Sequence, residues 1–110
     1  MRTLAITTLC ILTLAGTASA NRDIREHVRR TDPCLAAIID RESNWNHQAV
    51  NSRSGAYGLP QALPAHKMAS AGPDWRTNPW TQLRWMRSYT RQRYGGSCSA
   101  WRFWQRNHWY

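Results

Sequence analysis

Apolar positions recur with a helical period in two stretches of the chain, and nowhere with the alternation of a half-buried strand. Leu35, Ile38 and Ile39 fall at i, i+3 and i+4, and Glu42 takes the i+7 position of the same face. Asp32 suits the N-cap and Pro33 the first helical position, so the pattern predicts a helix over residues 33–43. Trp80, Leu83 and Met86, continued by Tyr89 and Tyr94, form a second stripe, read as core packing. Asn78-Pro79 opens that helix and Gly95-Gly96 closes it. A shorter helix is expected from Ser97 or Cys98 through Trp104. Residues 21–31 are densely charged and read either as a short helix or as a frayed lead-in. Asn46, Asn51, Ser52, Ser54 and Gly55 mark residues 46–56 as a loop, which Gly58 and Pro60 extend. Residues 61–71 read as a short helix interrupted by Pro64, and Gly72-Pro73 as a turn. There is no repeat and no linker, so the expected class is mainly α, in a single small domain.

The most continuous apolar stretch lies outside that domain. Met1-Arg2 is a positive start, Leu4 to Leu14 is apolar apart from its threonines, and Ala18-Ser19-Ala20 is a small-residue cleavage pattern. Together they predict a secretory signal peptide over residues 1–20, with the folded domain over 21–110. A membrane anchor is disfavoured because the stretch is shorter than the roughly 20 residues a span requires. A lipid anchor on Cys10 lacks the small residue expected before it. An extracellular or cell-wall location follows, without stable membrane insertion once the signal is removed.

Export changes the reading of the cysteines. Cys34 and Cys98 remain after residue 20, and an even pair in an oxidising compartment predicts a disulfide. A domain this small needs such a staple. His27, His47, His66 and His108 show no ligand spacing around either cysteine, so neither a metal nor another cofactor is expected. Of the 15 Lys and Arg only Arg2 is lost with the signal, leaving 14 against 6 acids and a net charge of +8. That excess suits anionic partners: wall glycopolymers, acidic peptide stems, membranes or nucleic acid. All seven Trp lie after residue 20. Some must be core; others are available to stack on sugar faces or on bases.

Glu42 is the position that demands chemistry. A carboxylate on an apolar face is costly unless paired. One reading is an ion pair with one of the many arginines. The other is a general acid, its pKa raised by desolvation so that it holds a proton near neutral pH. Glycosidic cleavage uses such a donor, normally with a second carboxylate. Asp23, Glu26, Asp32, Asp40 and Asp74 show no spacing that marks a partner.

Ile38-Ile39-Asp40-Arg41-Glu42-Ser43-Asn44-Trp45 resembles the end of the catalytic helix in soluble lytic transglycosylases and goose-type lysozymes. Ala49-Val50-Asn51, Ser54 to Gln61 and Ala62-Leu63-Pro64 follow at that family's spacing. The Pro before Gln61, then Lys67-Met68-Ala69 and Trp75 to Pro79, is similar to compact secreted wall hydrolases of actinobacterial or phage type. The resemblance covers residues 33–95 and weakens beyond. It implies a lysozyme-like domain acting, as a monomer, on peptidoglycan glycan strands. Glu42 would be the single acid/base, cleaving between N-acetylmuramic acid and N-acetylglucosamine and leaving a 1,6-anhydro end. Ser43 would orient the glutamate or the sugar. Gly55, Ala56, Tyr57, Gly58, Leu59 and Gln61 would line the cleft, and Tyr89 would stand near the acid. The family's late Ala-Tyr-Asn-Ala-Gly segment has no counterpart here, with Trp101 and Trp104 in that region instead. Its absence leaves hydrolysis open against anhydro formation. Two other classes stay in view: a non-catalytic cationic wall- or membrane-binding module, and a nucleic-acid binder, for which no motif is found.

Overall fold

The computed structural model describes residues 21–110. The expected signal peptide, with Cys10, lies outside the described residues. The helices are α1 (residues 21–31), α2 (Pro33–Glu42), α3 (Pro79–Tyr94) and α4 (Ser97–Asn107), with a 3-10 helix at Ala65–Ala71. Among the described residues there is no strand, only two isolated antiparallel bridges, Val50 to Tyr57 and Tyr57 to Ala62. The chain is mainly α, as the periodicity predicts.

Each helix forms for a local reason and stays formed for a tertiary one. In α1, Ile24 and Val28 sit at i and i+4 and are fully buried, which decides its charged sequence in favour of a helix. Each such burial stabilises by about 2 kcal/mol. α2 is capped by Asp32, whose carboxylate accepts from Leu35 N at 3.1 Å, with Pro33 in its first turn. It buries Leu35, Ala36, Ile38 and Ile39. α3 is capped by Asn78, which accepts from Trp80 N at 3.0 Å, and ends on left-handed Gly95 at φ 83°.

Three sequence expectations shift. The buried face of α3 runs through Pro79, Gln82, Leu83, Met86 and Thr90, spaced i, i+3, i+4, i+7 and i+11. Trp80 is one residue off that line; it is 37% exposed and meets His27 edge-on instead of joining the core. The segment after Gln61 becomes helical only at Ala65, because proline holds the preceding residue out of the helical region. α4 extends to Asn107, beyond the expected end at Trp104.

The core joins Ile24, Val28, Leu35, Ile38, Ile39, Leu59, Leu83, Met86 and Ala100. A smaller cluster of Ala62, Met68 and Trp75 supports the irregular segment. α2 and α4 run side by side in the same direction. Ser97 Oγ donates to Asp32 Oδ2 at 2.8 Å where both helices begin. The Cys34–Cys98 disulfide follows, with Cα atoms 4.9 Å apart. Glu42 and Trp104 meet near the far end. At 1.5 Å per residue, Glu42 lies about 12 Å beyond Cys34 and Trp104 about 9 Å beyond Cys98. The clip at the start therefore sets the register at which the two side chains touch.

Candidate active site

Glu42 is the last residue of α2, where the helix face leaves the core and enters a cleft of about 380 Å³. The helical period explains its placement: it continues the line of Leu35, Ile38 and Ile39 one turn past the core. Burial raises its carboxyl pKa above the ordinary 4.5, and the hydrogen bond from Trp104 opposes that rise. Trp104 Nε1 donates to Glu42 Oε1 at 2.7 Å. The arginine ion pair, the alternative sequence reading, does not form. Among the described residues the one ion pair is Arg29 with Asp40 at 3.2 Å.

The cleft wall is drawn from every part of the fold. The loop after α2 supplies Asn51, Ala56, Gln61 and Leu63, and the 3-10 helix supplies Lys67. α3 supplies Tyr89 and Arg93, one helical turn apart, and the segment after α4 supplies His108, Trp109 and Tyr110. A smaller extension of about 80 Å³ continues past Gln61 and Tyr89 to Pro60, Ala62 and Trp85. Glu42 is the one acidic side chain in this wall, while Lys67 and Arg93 are cations. The other acids are engaged or remote. Asp32 caps α2, and Asp74 accepts from Thr81 at 2.7 Å and Asn78 at 2.8 Å. Asp40 accepts from Trp45 Nε1 at 2.6 Å as well as from Arg29, and Asp23 and Glu26 lie exposed on α1.

Of the residues expected to bind substrate, Ala56, Gln61 and Tyr89 line the cleft with Glu42. Ser43, Gly55, Tyr57, Gly58 and Leu59 do not, and the structure gives four of them other work. Ser43 Oγ donates to Leu59 O at 2.9 Å, tying the end of α2 to the loop. Tyr57 OH donates to Arg76 O at 2.6 Å, and its ring stands perpendicular to Trp75. Leu59 is fully buried in the core. At Gly58, where φ is 78°, a Cβ would come within 2.6–2.9 Å of the Gln82 amide. The missing side chain thus makes room for the buried Gln82 amide. Gly55 is exposed in the left-handed region, and no atom lies within 4 Å of where its Cβ would be.

Gln82 is the hidden organiser. Fully buried on α3, it accepts from Leu59 N at 2.8 Å and donates to His47 O at 2.9 Å and Trp75 O at 2.8 Å. Three irregular segments thus satisfy their backbone through one amide. Gln61, at φ 52°, donates to Ala49 O at 3.0 Å and Gly58 O at 3.2 Å, holding the rim beside Glu42. A polar residue on the buried line of α3 is a sequence signal that would have singled out Gln82. Lys67, Arg93, His108, Trp109 and Tyr110 carry no comparable local signal.

The aromatic wall is mutually braced. Tyr89 stacks on Trp85 at 4.9 Å, and its OH donates to Tyr110 O at 3.4 Å. Tyr110 OH donates to Pro60 O at 2.8 Å. Burial pushes the Tyr110 phenol well above its usual range, and the nearby Glu42 charge acts in the same direction, so it stays a neutral donor. Arg93 lies 5.8 Å from the Tyr89 and Tyr94 rings and 5.9 Å from that of Trp109, which is 52% exposed.

A family model described as transglycosylase SLT domain matches residues 20–103. No curated protein and no solved structure matches the chain.

Proposed function

The chain belongs to the transglycosylase SLT domain family, and from that premise we propose a secreted lytic transglycosylase with Glu42 as its single catalytic acid/base. Family membership carries the coarser statement: the substrate is peptidoglycan and the activity is cleavage of its glycan strands. The finer reading rests on one observation, a carboxyl group whose pKa burial raises and which is the one acidic side chain in the cleft wall.

In this reading Glu42 gives its proton to the oxygen between N-acetylmuramic acid and N-acetylglucosamine. The bond from that oxygen to the muramic C1 breaks, leaving positive charge on the ring. Glu42, now a carboxylate, takes the proton from the C6 hydroxyl of the same sugar as O6 bonds to C1. Electrons and protons balance, the glutamate is regenerated, and no second carboxylate is required. Lys67 and Arg93 suit a substrate whose peptide stems and lactyl groups carry carboxylates. Residues 1–20 serve as the export signal, and the mature enzyme works as a monomer at the wall.

Mass spectrometry of purified peptidoglycan digested by the wild type and by Glu42→Gln tests the reading. Anhydro-muropeptides from the wild type alone are expected. Reducing ends lost in the variant would make it a hydrolase instead, and lysis that survives the substitution would move it to the cationic binding module.

A further inference from the structure

We propose that Trp104 is the positioning residue of the reaction: its indole N–H holds Oε1 of Glu42 and confines the transferable proton to Oε2. This rests on Glu42 being the acid, as in the function proposed above. Residue 104 lies just past the stretch that the family model matches, so family membership assigns it no role.

The argument is one of donor chemistry. An indole N–H donates and cannot accept. At 2.7 Å it occupies Oε1, and because a carbonyl oxygen accepts more strongly than an acid hydroxyl, a fixed donor there favours Oε1 as the unprotonated oxygen. A proton on the carboxyl group therefore prefers Oε2. A water molecule in the same place would not do this, because it both gives and accepts and would let the proton reside on either oxygen. Among the described residues this is the only hydrogen bond to the Glu42 carboxyl group, which leaves Oε2 for the substrate.

The indole is itself held in place. Trp101 stacks on it at 5.6 Å with planes 21° apart, His108 meets its ring edge at 5.3 Å, and the Arg41 guanidinium lies 5.9 Å from it. Its helix is fixed against α2 by the Cys34–Cys98 disulfide and by the bond from Ser97 to Asp32. A fixed donor on a fixed helix holds the carboxyl plane in one orientation through proton loss and return, which both steps of the reaction require.

Two measurements test this. The first is the pH dependence of kcat and KM on soluble peptidoglycan oligomers for wild type and Trp104→Phe, with the circular dichroism spectrum as a check on folding. Expected are a roughly ten- to hundredfold loss of kcat, the worth of one hydrogen bond to a charged group, and little change in KM. The alkaline limb of the profile should also move to higher pH, since the lost bond favoured the carboxylate. Wild-type kcat, or a loss of activity with the limb unmoved, would overturn the proposal.

The second leaves Trp104 in place. The indole N–H resonances of the wild type are followed by NMR through a pH titration. One of the seven should titrate with the midpoint of the kcat limb, and should stop doing so in Glu42→Gln. If none follows that limb, or the one that does still titrates in Glu42→Gln, the indole does not sense Glu42 and the proposal fails. Activity retained in Glu42→Gln would instead remove the functional reading beneath it, a result distinct from a silent Trp104→Phe.

Discussion

At the residue scale, Glu42 trades stability for chemistry. Its folded pKa lies above its unfolded value, so the fold favours the protonated form. Any stability from that preference is fully present below the unfolded pKa of 4.5 and is lost as pH rises through the folded value. Glu42→Gln keeps an acceptor for Trp104 and removes the titrating charge. It should therefore raise Tm by a few degrees at pH 7, give no gain at pH 4, and abolish cleavage at both. Thermal unfolding at the two pH values reads this directly; equal Tm differences would mean that the carboxyl group is not desolvated as described. Gly58 is the opposite case, a residue important only for its lack of a side chain. Gly58→Ala places a Cβ against Gln82 in a left-handed backbone and should cost roughly 2–4 kcal/mol in denaturant unfolding.

At the scale of elements, the relation that matters is between α2 and α4. They bring the acid and its indole partner from residues 62 positions apart in the chain. Their shared register depends on the clip at their beginnings. Replacing both Cys34 and Cys98 by Ser releases a 64-residue separation and should lower unfolding free energy by about 4 kcal/mol. Activity should fall further than the unfolded fraction explains, because the helices gain freedom to slide and the bond between Trp104 and Glu42 loosens. An activity loss that tracks the folded fraction alone would show that the core sets the register without the disulfide. The irregular segment between α2 and α3 is an element too, held by Gln82 and Gln61 more than by its own bridges.

For the whole molecule, charge is the dominant property. Residues 21–110 carry +8, and their one described ion pair, between half-exposed side chains, is worth less than about 1 kcal/mol. Most of the arginine charge thus faces outward without a carboxylate partner, suited to an anionic wall. Replacing Arg30, Arg53, Arg91 and Arg106 together by Gln takes the charge to +4 and leaves the cleft untouched. Retention on intact walls should then fail at lower salt, while cleavage of short soluble oligomers stays at the wild-type rate. Unchanged retention would mean that the cleft alone anchors the enzyme. No helix among the described residues is long and apolar enough to cross a membrane.

What the sequence determined by itself was local. Helical periods, caps and turn residues act over a few positions, so α2, α3 and the loop between them could be read before any contact was known. The same period placed Glu42 on the apolar face of its helix, and an even pair of cysteines after the expected signal announced their disulfide. What only the tertiary structure decided was which distant groups meet. Burial of Ile24 and Val28 made α1 a helix where its charges left the matter open. The close packing of Gly58 on Gln82 gave that glycine a structural reason that no neighbouring residue announces. Trp104 reached Glu42, and Arg93 and Tyr110 reached the cleft, because α4 packs along α2 and α3 packs on α4. That is a property of packing between residues far apart in the chain, and no pattern of neighbours encodes it.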